Sequence, residues 1–255
     1  MAQIAYILLC HKDPSPVIEQ ARRLSRSGDA VAIHVDARAP RDVYEAIRGA
    51  VTALPSVILA KKRTRCAWGS WSIVAATLST IEAALAAFPD ATHVYLLSGD
   101  CMPIKPAEYV HAFLDQHDAD FIECENFFES DWIRTGLTEE RLKYRHFFNE
   151  RAQPGLFYRS LELQKRLGLS RDVPPDLKVR IGSQWWCLRR QTVERVLAFL
   201  EARRDVVRFF RKTWIPDEVF FQTLVPHLVP TNEVRSKGLT FLIFSDYGKP
   251  VTFYN

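Results

Sequence analysis

The sequence predicts an α/β fold with a mostly parallel central sheet flanked by helices. Three observations predict it. Short apolar runs of strand length recur along the chain, and helix-compatible stretches separate the first of them, which is the alternation that builds β-α-β units. Several runs end in a carboxylate (Asp36, Asp100, Glu123), at the strand end where open α/β sheets bind ligands. With 255 residues and 47% hydrophobic composition, the chain can bury a substantial core.

Residues 3–10 form the first buried strand, because the run lacks the basic stretch of a signal peptide and leads straight into His11-Lys12-Asp13-Pro14. Residues 14–27 suit a helix and 30–35 a second strand, ending in His34-Val35-Asp36. Asp36 there either meets a base or ribose or serves as a strand-end turn. Residues 41–51 suggest a short helix and 56–60 a third strand. The basic cluster Lys61-Lys62-Arg63-Thr64-Arg65 then precedes Trp68-Gly69 and an Ala-rich helix over 73–88, closed by Pro89. Cations beside helix N–H groups can hold phosphate, and the alternative is a solvated loop.

A fourth strand, 93–97, runs into Ser98-Gly99-Asp100. One carboxylate is a poor magnesium site, so no obligatory metal or other cofactor is expected. A fifth strand, 120–124, carries Glu123, with Glu125 facing the opposite way. From 129 to 176 the pattern loosens and becomes aromatic and basic, which fits either a sugar-stacking surface or a satellite core. Residues 182–188 read as a sixth strand that sends one of Trp185 and Trp186 into the core, followed by a helix over 192–203. A last strand is expected over 239–244. Neither a repeat nor a flexible linker interrupts the chain, so one compact unit is the simplest reading.

The densest chemistry lies in Trp214-Ile215-Pro216-Asp217-Glu218-Val219-Phe220-Phe221-Gln222. Pro216 suits the first turn of a helix, where its missing N–H costs nothing. Asp217 and Glu218 then fall in that turn, where the helix dipole favours negative charge, and on local grounds they read either as ordinary first-turn acids of a soluble helix or as functional ones. Large apolar neighbours desolvate such acids, and desolvation makes a carboxylate a working base near neutral pH.

Composition narrows the class further. No apolar run approaches the roughly 20 residues that span a bilayer. Five cysteines without metal-like spacing suggest a reducing compartment, so a cytoplasmic location, including the inner face of the membrane, is expected. The net charge of +4 conceals an asymmetry: residues 132–212 carry 19 Lys/Arg against 9 Asp/Glu, leaving 15 against 21 elsewhere. A basic half fits a phosphorylated small molecule, a polyanion or peripheral contact with an anionic membrane, or is largely a solvated face. The chain has no Gly-x-Gly-x-x-Gly, no Walker A motif and no recognisable nucleic-acid reading module, which argues against a Rossmann dehydrogenase, a P-loop NTPase and a nucleic-acid partner.

Taken in order, His34-Val35-Asp36, Trp68-Gly69, Leu97-Ser98-Gly99-Asp100 with Pro103, Gly182-Ser183-Gln184-Trp185 and Pro216-Asp217-Glu218 resemble one family. It comprises the core-2/I-branching β-1,6-N-acetylglucosaminyltransferases and the related peptide O-xylosyltransferases, glycosyltransferase family 14, and the chain looks closest to the bacterial branch. The resemblance implies a GT-A-type fold over 1–255, with a nucleotide-binding half (1–128) and an acceptor and catalytic half (129–255). It implies an inverting, metal-independent transfer of GlcNAc, or alternatively xylose, from a UDP donor to an acceptor hydroxyl on a glycan or similar molecule. By position, Glu218 is the general base, and Asp36, Trp68, Gly69, Ser98, Gly99 and Asp100 line the donor site. Glu123, Trp185 and Asp217 meet the acceptor. Arg235, Lys237 and Lys249 are the candidates for stabilising the departing diphosphate. The family continues past the position of Asn255 to a second basic residue, which allows the chain to be part of a longer protein. The alternatives are a metal-dependent GT-A enzyme using Asp100 and a non-catalytic sugar-nucleotide or glycan-binding domain.

Overall fold

The computed structural model describes residues 1–134, 136–243 and 251. Its centre is a seven-stranded sheet. In chain order the elements begin β1 (Ile4–Cys10), α1 (Pro14–Arg26), β2 (Ala30–Val35), α2 (Arg41–Val51), β3 (Val57–Leu59), α3 (Trp71–Ala87) and β4 (His93–Ser98). They continue with α4 (Ala107–Gln116), β5 (Asp120–Ile122), β6 (Glu125–Asn126), α5 (Glu140–Lys143), α6 (Pro154–Arg166), β7 (Arg180–Ile181) and β8 (Trp186–Arg189). The last are α7 (Arg190–Ala202), α8 (Arg204–Phe210), a 3-10 turn (Pro216–Glu218), α9 (Phe220–Leu228) and β9 (Val234–Arg235).

The strand order is β3-β2-β1-β4-β8-β5-β9, and β6 pairs with β7 in a small antiparallel ribbon. Strands β1 to β4 are mutually parallel, as is β5 with β9; β8 runs antiparallel between β4 and β5. The expected α/β class with a mostly parallel sheet is therefore present, with one reversed strand that periodicity alone does not reveal.

Side-chain alternation along the strands splits the core into two layers. Ile4, Tyr6, Leu8 and Cys10 of β1 join Ile33 of β2 on one face, against Val17 and Ala21 of α1, Ile47 of α2 and Leu114 of α4. Ala5 and Ile7 face the other way with Leu96 and Trp186, against Val74 and Ile81 of α3, Val193 of α7, Phe210 of α8 and Phe220 of α9. A parallel sheet covered on both sides needs such continuous apolar strands. Trp186 is the core tryptophan of its pair and is fully buried, with Phe221 at 4.8 Å between ring centroids.

Electrostatics fix β8 at the N-terminal edge of the parallel strands. The buried Arg189 guanidinium donates to Asp120 Oδ2 at 2.9 Å, to Asp118 Oδ1 at 2.9 Å and to Glu233 Oε2 at 2.6 Å. The wholly buried Asp120 also accepts from the Arg189 backbone N–H at 2.7 Å and from Thr192 Oγ1 at 2.7 Å. This joins β8, β5 and the turn before β9.

Three expectations need correction. The stretch 182–188 is a strand only from Trp186 onward, because Gly182 to Trp185 bend to meet residues 217–222. The acidic pair lies in a 3-10 turn ahead of α9, not in the helix itself. Residues 239–243 are not a strand; the sheet closes earlier, with β9, and Phe244 lies outside the described residues.

Candidate active site

The C-terminal ends of β1 and β4 lie where strand order reverses, with β2 and β3 to one side and β8 and β5 to the other. Chain ends diverge at such a point and leave a crevice for ligands. Gly99 makes the crevice narrow at its base: its N–H donates to Leu9 O at 2.9 Å, and a Cβ there would lie 2.7 Å from Cys10 Cβ and 2.8 Å from Val17 Cγ2. Ser98 Oγ accepts the Asp100 backbone N–H at 3.2 Å, shaping the turn. The Asp100 carboxylate is half-exposed and 3.3 Å from Lys12 Nζ, a cation that follows the end of β1.

The end of β2 organises the next loop. His34 Nε2 accepts the Thr64 N–H at 2.9 Å, which leaves its proton on Nδ1, and burial lowers its pKa. Asp36 spends both carboxylate oxygens on backbone amides, Oδ1 on Arg38 at 2.7 Å and Oδ2 on Cys66 at 3.2 Å. Arg63 closes the loop by donating to Asp36 O at 2.7 Å. His34-Val35-Asp36 thus holds the loop that carries Trp68, while each Asp36 oxygen keeps a further lone pair for a ligand.

Trp68 is 38% exposed, lies under the Arg151 guanidinium at 3.9 Å and meets Trp214 edge-on at 5.9 Å. Gly69, at φ +68°, accepts the Ile215 N–H at 3.0 Å, and a Cβ on it would press on Ile215 and Trp214 at 3.3 Å. Trp68-Gly69 therefore abuts the acidic stretch directly, although nearly 150 residues of chain separate them. Ile215 itself is at φ +50°, a strained conformation for a β-branched residue, immediately before Pro216.

Glu218 emerges from this turn 29% exposed, and Arg141 Nη1 donates to its Oε2 at 2.8 Å. Arg141 is buried, donates through Nε to Leu137 O at 3.0 Å and lies over Trp214 at 5.1 Å. A guanidinium fixed in this way orients the carboxylate. Asp217 differs sharply. Its Oδ1 is buried without a partner, and burial, reinforced by the Glu218 charge, pushes the carboxyl up to about 7. Asp217 therefore keeps its proton well above the usual carboxylate range. Asp217, expected against the acceptor, turns this oxygen inward instead.

The far wall comes from β5 and the 182–185 bend. Glu123 Oε2 accepts the Ser183 N–H at 3.2 Å, and a Cβ at Gly182 would collide with the Glu123 carbonyl. Gln222 Nε2 donates to Ser183 O at 2.6 Å, and Gly182 N–H donates to Glu218 O at 3.0 Å, so this bend and the acidic turn move as one piece. Trp185 stays half-buried beside it, while Glu125 faces away and accepts from Ser130. Arg235 is exposed and donates to Asn232 O at 2.7 Å; Lys237 is exposed one turn on. Ser236 accepts the Cys124 N–H at 3.1 Å, and Gly238 borders Glu123. This brings 235–238 over the same edge. Lys249 lies outside the described residues.

The structure gathers Lys12, Ser98 to Asp100, Trp68, Glu123, Ser183 and Glu218 along one sheet edge. Two contributors were given no role in the sequence reading. Gln222 closes the acidic stretch, but its bond to Ser183 is made across the fold and no spacing reveals it. Arg141 sits in the loosely patterned basic stretch, where no spacing distinguishes it from its neighbours.

A family model described as Core-2/I-Branching enzyme matches residues 4–254. The chain is 29% identical over 227 residues to a sheep beta-1,3-galactosyl-O-glycosyl-glycoprotein beta-1,6-N-acetylglucosaminyltransferase 3, covering 87% of this chain and 46% of that protein. It is 27% identical over 240 residues to the corresponding transferase of bovine herpesvirus 4 (strain DN-599), covering 90% and 49%. The chain thus spans about half the length of the curated relatives it matches. Among solved structures it is similar to the apo WbbM bifunctional glycosyltransferase, at 11% identity and a TM-score of 0.39, covering 93% of this chain and 39% of that one.

Proposed function

Since this chain belongs to the Core-2/I-branching enzyme family, we propose that it is a glycosyltransferase that moves GlcNAc from UDP-GlcNAc to an acceptor hydroxyl with inversion and without a metal ion. The observation that carries this reading is the Glu218 carboxylate, which accepts from the buried Arg141 at 2.8 Å at the crevice edge beside an Asp217 whose carboxyl is pushed up to about 7. Glu218 takes the proton of the acceptor hydroxyl as its oxygen bonds to the anomeric carbon, and the bond from that carbon to UDP breaks on the opposite face. The diphosphate leaves with the electron pair, and cations at the crevice offset its charge. Lys12 after β1, Arg235 at the end of β9 and Lys237 just after it are the candidates for this role. Lys12 already neutralises Asp100, which supports a site that does without a divalent ion. Trp68 and Trp185 offer faces for sugar or base stacking, with GlcNAc favoured over xylose by the names of the relatives.

The test is Glu218→Gln. Turnover of UDP-GlcNAc should fall by about 10²–10⁴, the usual contribution of a general base. Calorimetric binding of UDP should be unchanged, with or without EDTA. A folded variant that loses UDP binding would contradict the base role, and EDTA-sensitive UDP binding would move the chemistry to a metal held at Asp100.

A further inference from the structure

Helix α6 presents a buried face and, about 110° around the helix from it, an exposed apolar stripe. Phe157, Leu161 and Gln164 are buried, with Phe157 5.7 Å from Trp214. Outward, Leu156 is 45% exposed, Leu163 57% and Leu167 60%, and Leu169 follows at 50%. At about 100° per residue, Leu156, Leu163 and Leu167 fall within about 40° of one another on the helix surface. Arg159 and Arg166, seven residues apart, form a parallel row beside them. A helix carrying this many exposed leucines in line is not explained by the fold, since single scattered apolar residues are the normal case.

The charge around the stripe is uncompensated. Glu162 is paired with Lys165 at 3.3 Å, and Glu150 accepts from Tyr158 Oη at 2.5 Å. Arg159 and Arg166 are exposed and make no ion pair or hydrogen bond among the described residues. A leucine stripe edged by free arginines suits a surface that is apolar at depth and anionic at its rim. An antiparallel twofold contact between two copies would instead set arginine row against arginine row.

We propose that the outward face of α6, continued by Leu169, docks on an anionic lipid bilayer, with the leucines at the acyl boundary and Arg159 and Arg166 against the headgroups. This contact is independent of which sugar the site transfers. It holds the candidate site close to the membrane, because Phe157 on the inner face of the same helix packs on Trp214 of the acidic stretch.

Co-sedimentation of the full chain with vesicles tests it. The chain should bind vesicles of phosphatidylcholine with about 30% phosphatidylglycerol, bind phosphatidylcholine alone far more weakly, and release as salt rises. Each arginine near such a surface is worth about fivefold in partitioning, so Arg159→Gln with Arg166→Gln should weaken binding about thirtyfold. Leu156→Ser with Leu163→Ser and Leu167→Ser should abolish it while leaving the circular dichroism spectrum and UDP binding intact. Absence of binding to either vesicle, or equal binding by the parent chain and a folded leucine variant, would overturn the proposal. So would a concentration-dependent dimer, seen without vesicles, that the leucine substitutions dissolve.

Discussion

Replacing Asp217 with asparagine should change how stability depends on pH, by an amount the structure sets. Burial, with the Glu218 charge second, raises the Asp217 carboxyl from its ordinary 3.8 to about 7. That gap is about 3 pH units, and each is worth about 1.36 kcal/mol, so holding Asp217 ionised in the folded protein costs about 4 kcal/mol. The sign follows from proton counts. Between the two values the folded state keeps a proton that the unfolded chain has lost, so stability is full below about pH 4 and falls as pH rises towards 7. The amide introduced by Asp217→Asn cannot ionise, and the fall due to this residue disappears. Urea unfolding of both proteins at pH 5 and pH 8 measures the difference, with other titrating groups common to the two. The stability of Asp217→Asn relative to the parent should rise by about 2–3 kcal/mol over that interval. Parallel pH profiles would refute the assignment of a raised Asp217 carboxyl.

Two further outcomes follow from packing. Arg189→Met should destabilise the fold by about 3–5 kcal/mol in urea, because it leaves Asp120 buried and charged, and adding Asp120→Asn should recover part of the loss. Gly99→Ala should cost about 1–3 kcal/mol and lower the melting temperature by several degrees, since its Cβ would meet the rigid Cys10 Cβ at 2.7 Å. An unchanged melting temperature would mean that β1 and β4 yield more readily than their pairing suggests.

The N-terminal half was legible because its signals are local. The strand over 30–35 and the helix over 41–51 have the same bounds in the structure, since polar breaks flank them closely. The early strands are continuous apolar runs, a pattern that only a doubly covered sheet satisfies. The reversed direction of β8 was not legible, because side-chain alternation is the same in both directions. Helix α6 was hidden for the opposite reason: its exposed leucines blur the 3.6-residue period that marks a helix against a core. At the site, Glu218 stood out through Pro216 and its apolar neighbours. Arg141 did not, for it reaches Glu218 across 77 positions of sequence through tertiary packing alone. Asp36 stood out equally, and its two bonds to backbone amides across the following loop were not readable from spacing.

The position of β8 also dictates an order of assembly during synthesis. Strands β1 to β4 and their helices can pair as they leave the ribosome, each beside a neighbour already made. β5 cannot, because its place in the sheet is separated from β4 by β8, which is not translated until residue 186. Until then Phe121 and Ile122 offer an unpaired apolar edge, the kind of surface on which nascent chains aggregate or recruit chaperones. The acidic turn comes later still and is tied to the 182–185 bend. The crevice therefore acquires its carboxylate only after the gap in the sheet has been filled, so a chain stalled halfway presents a nearly finished sheet edge with no Glu218 upon it.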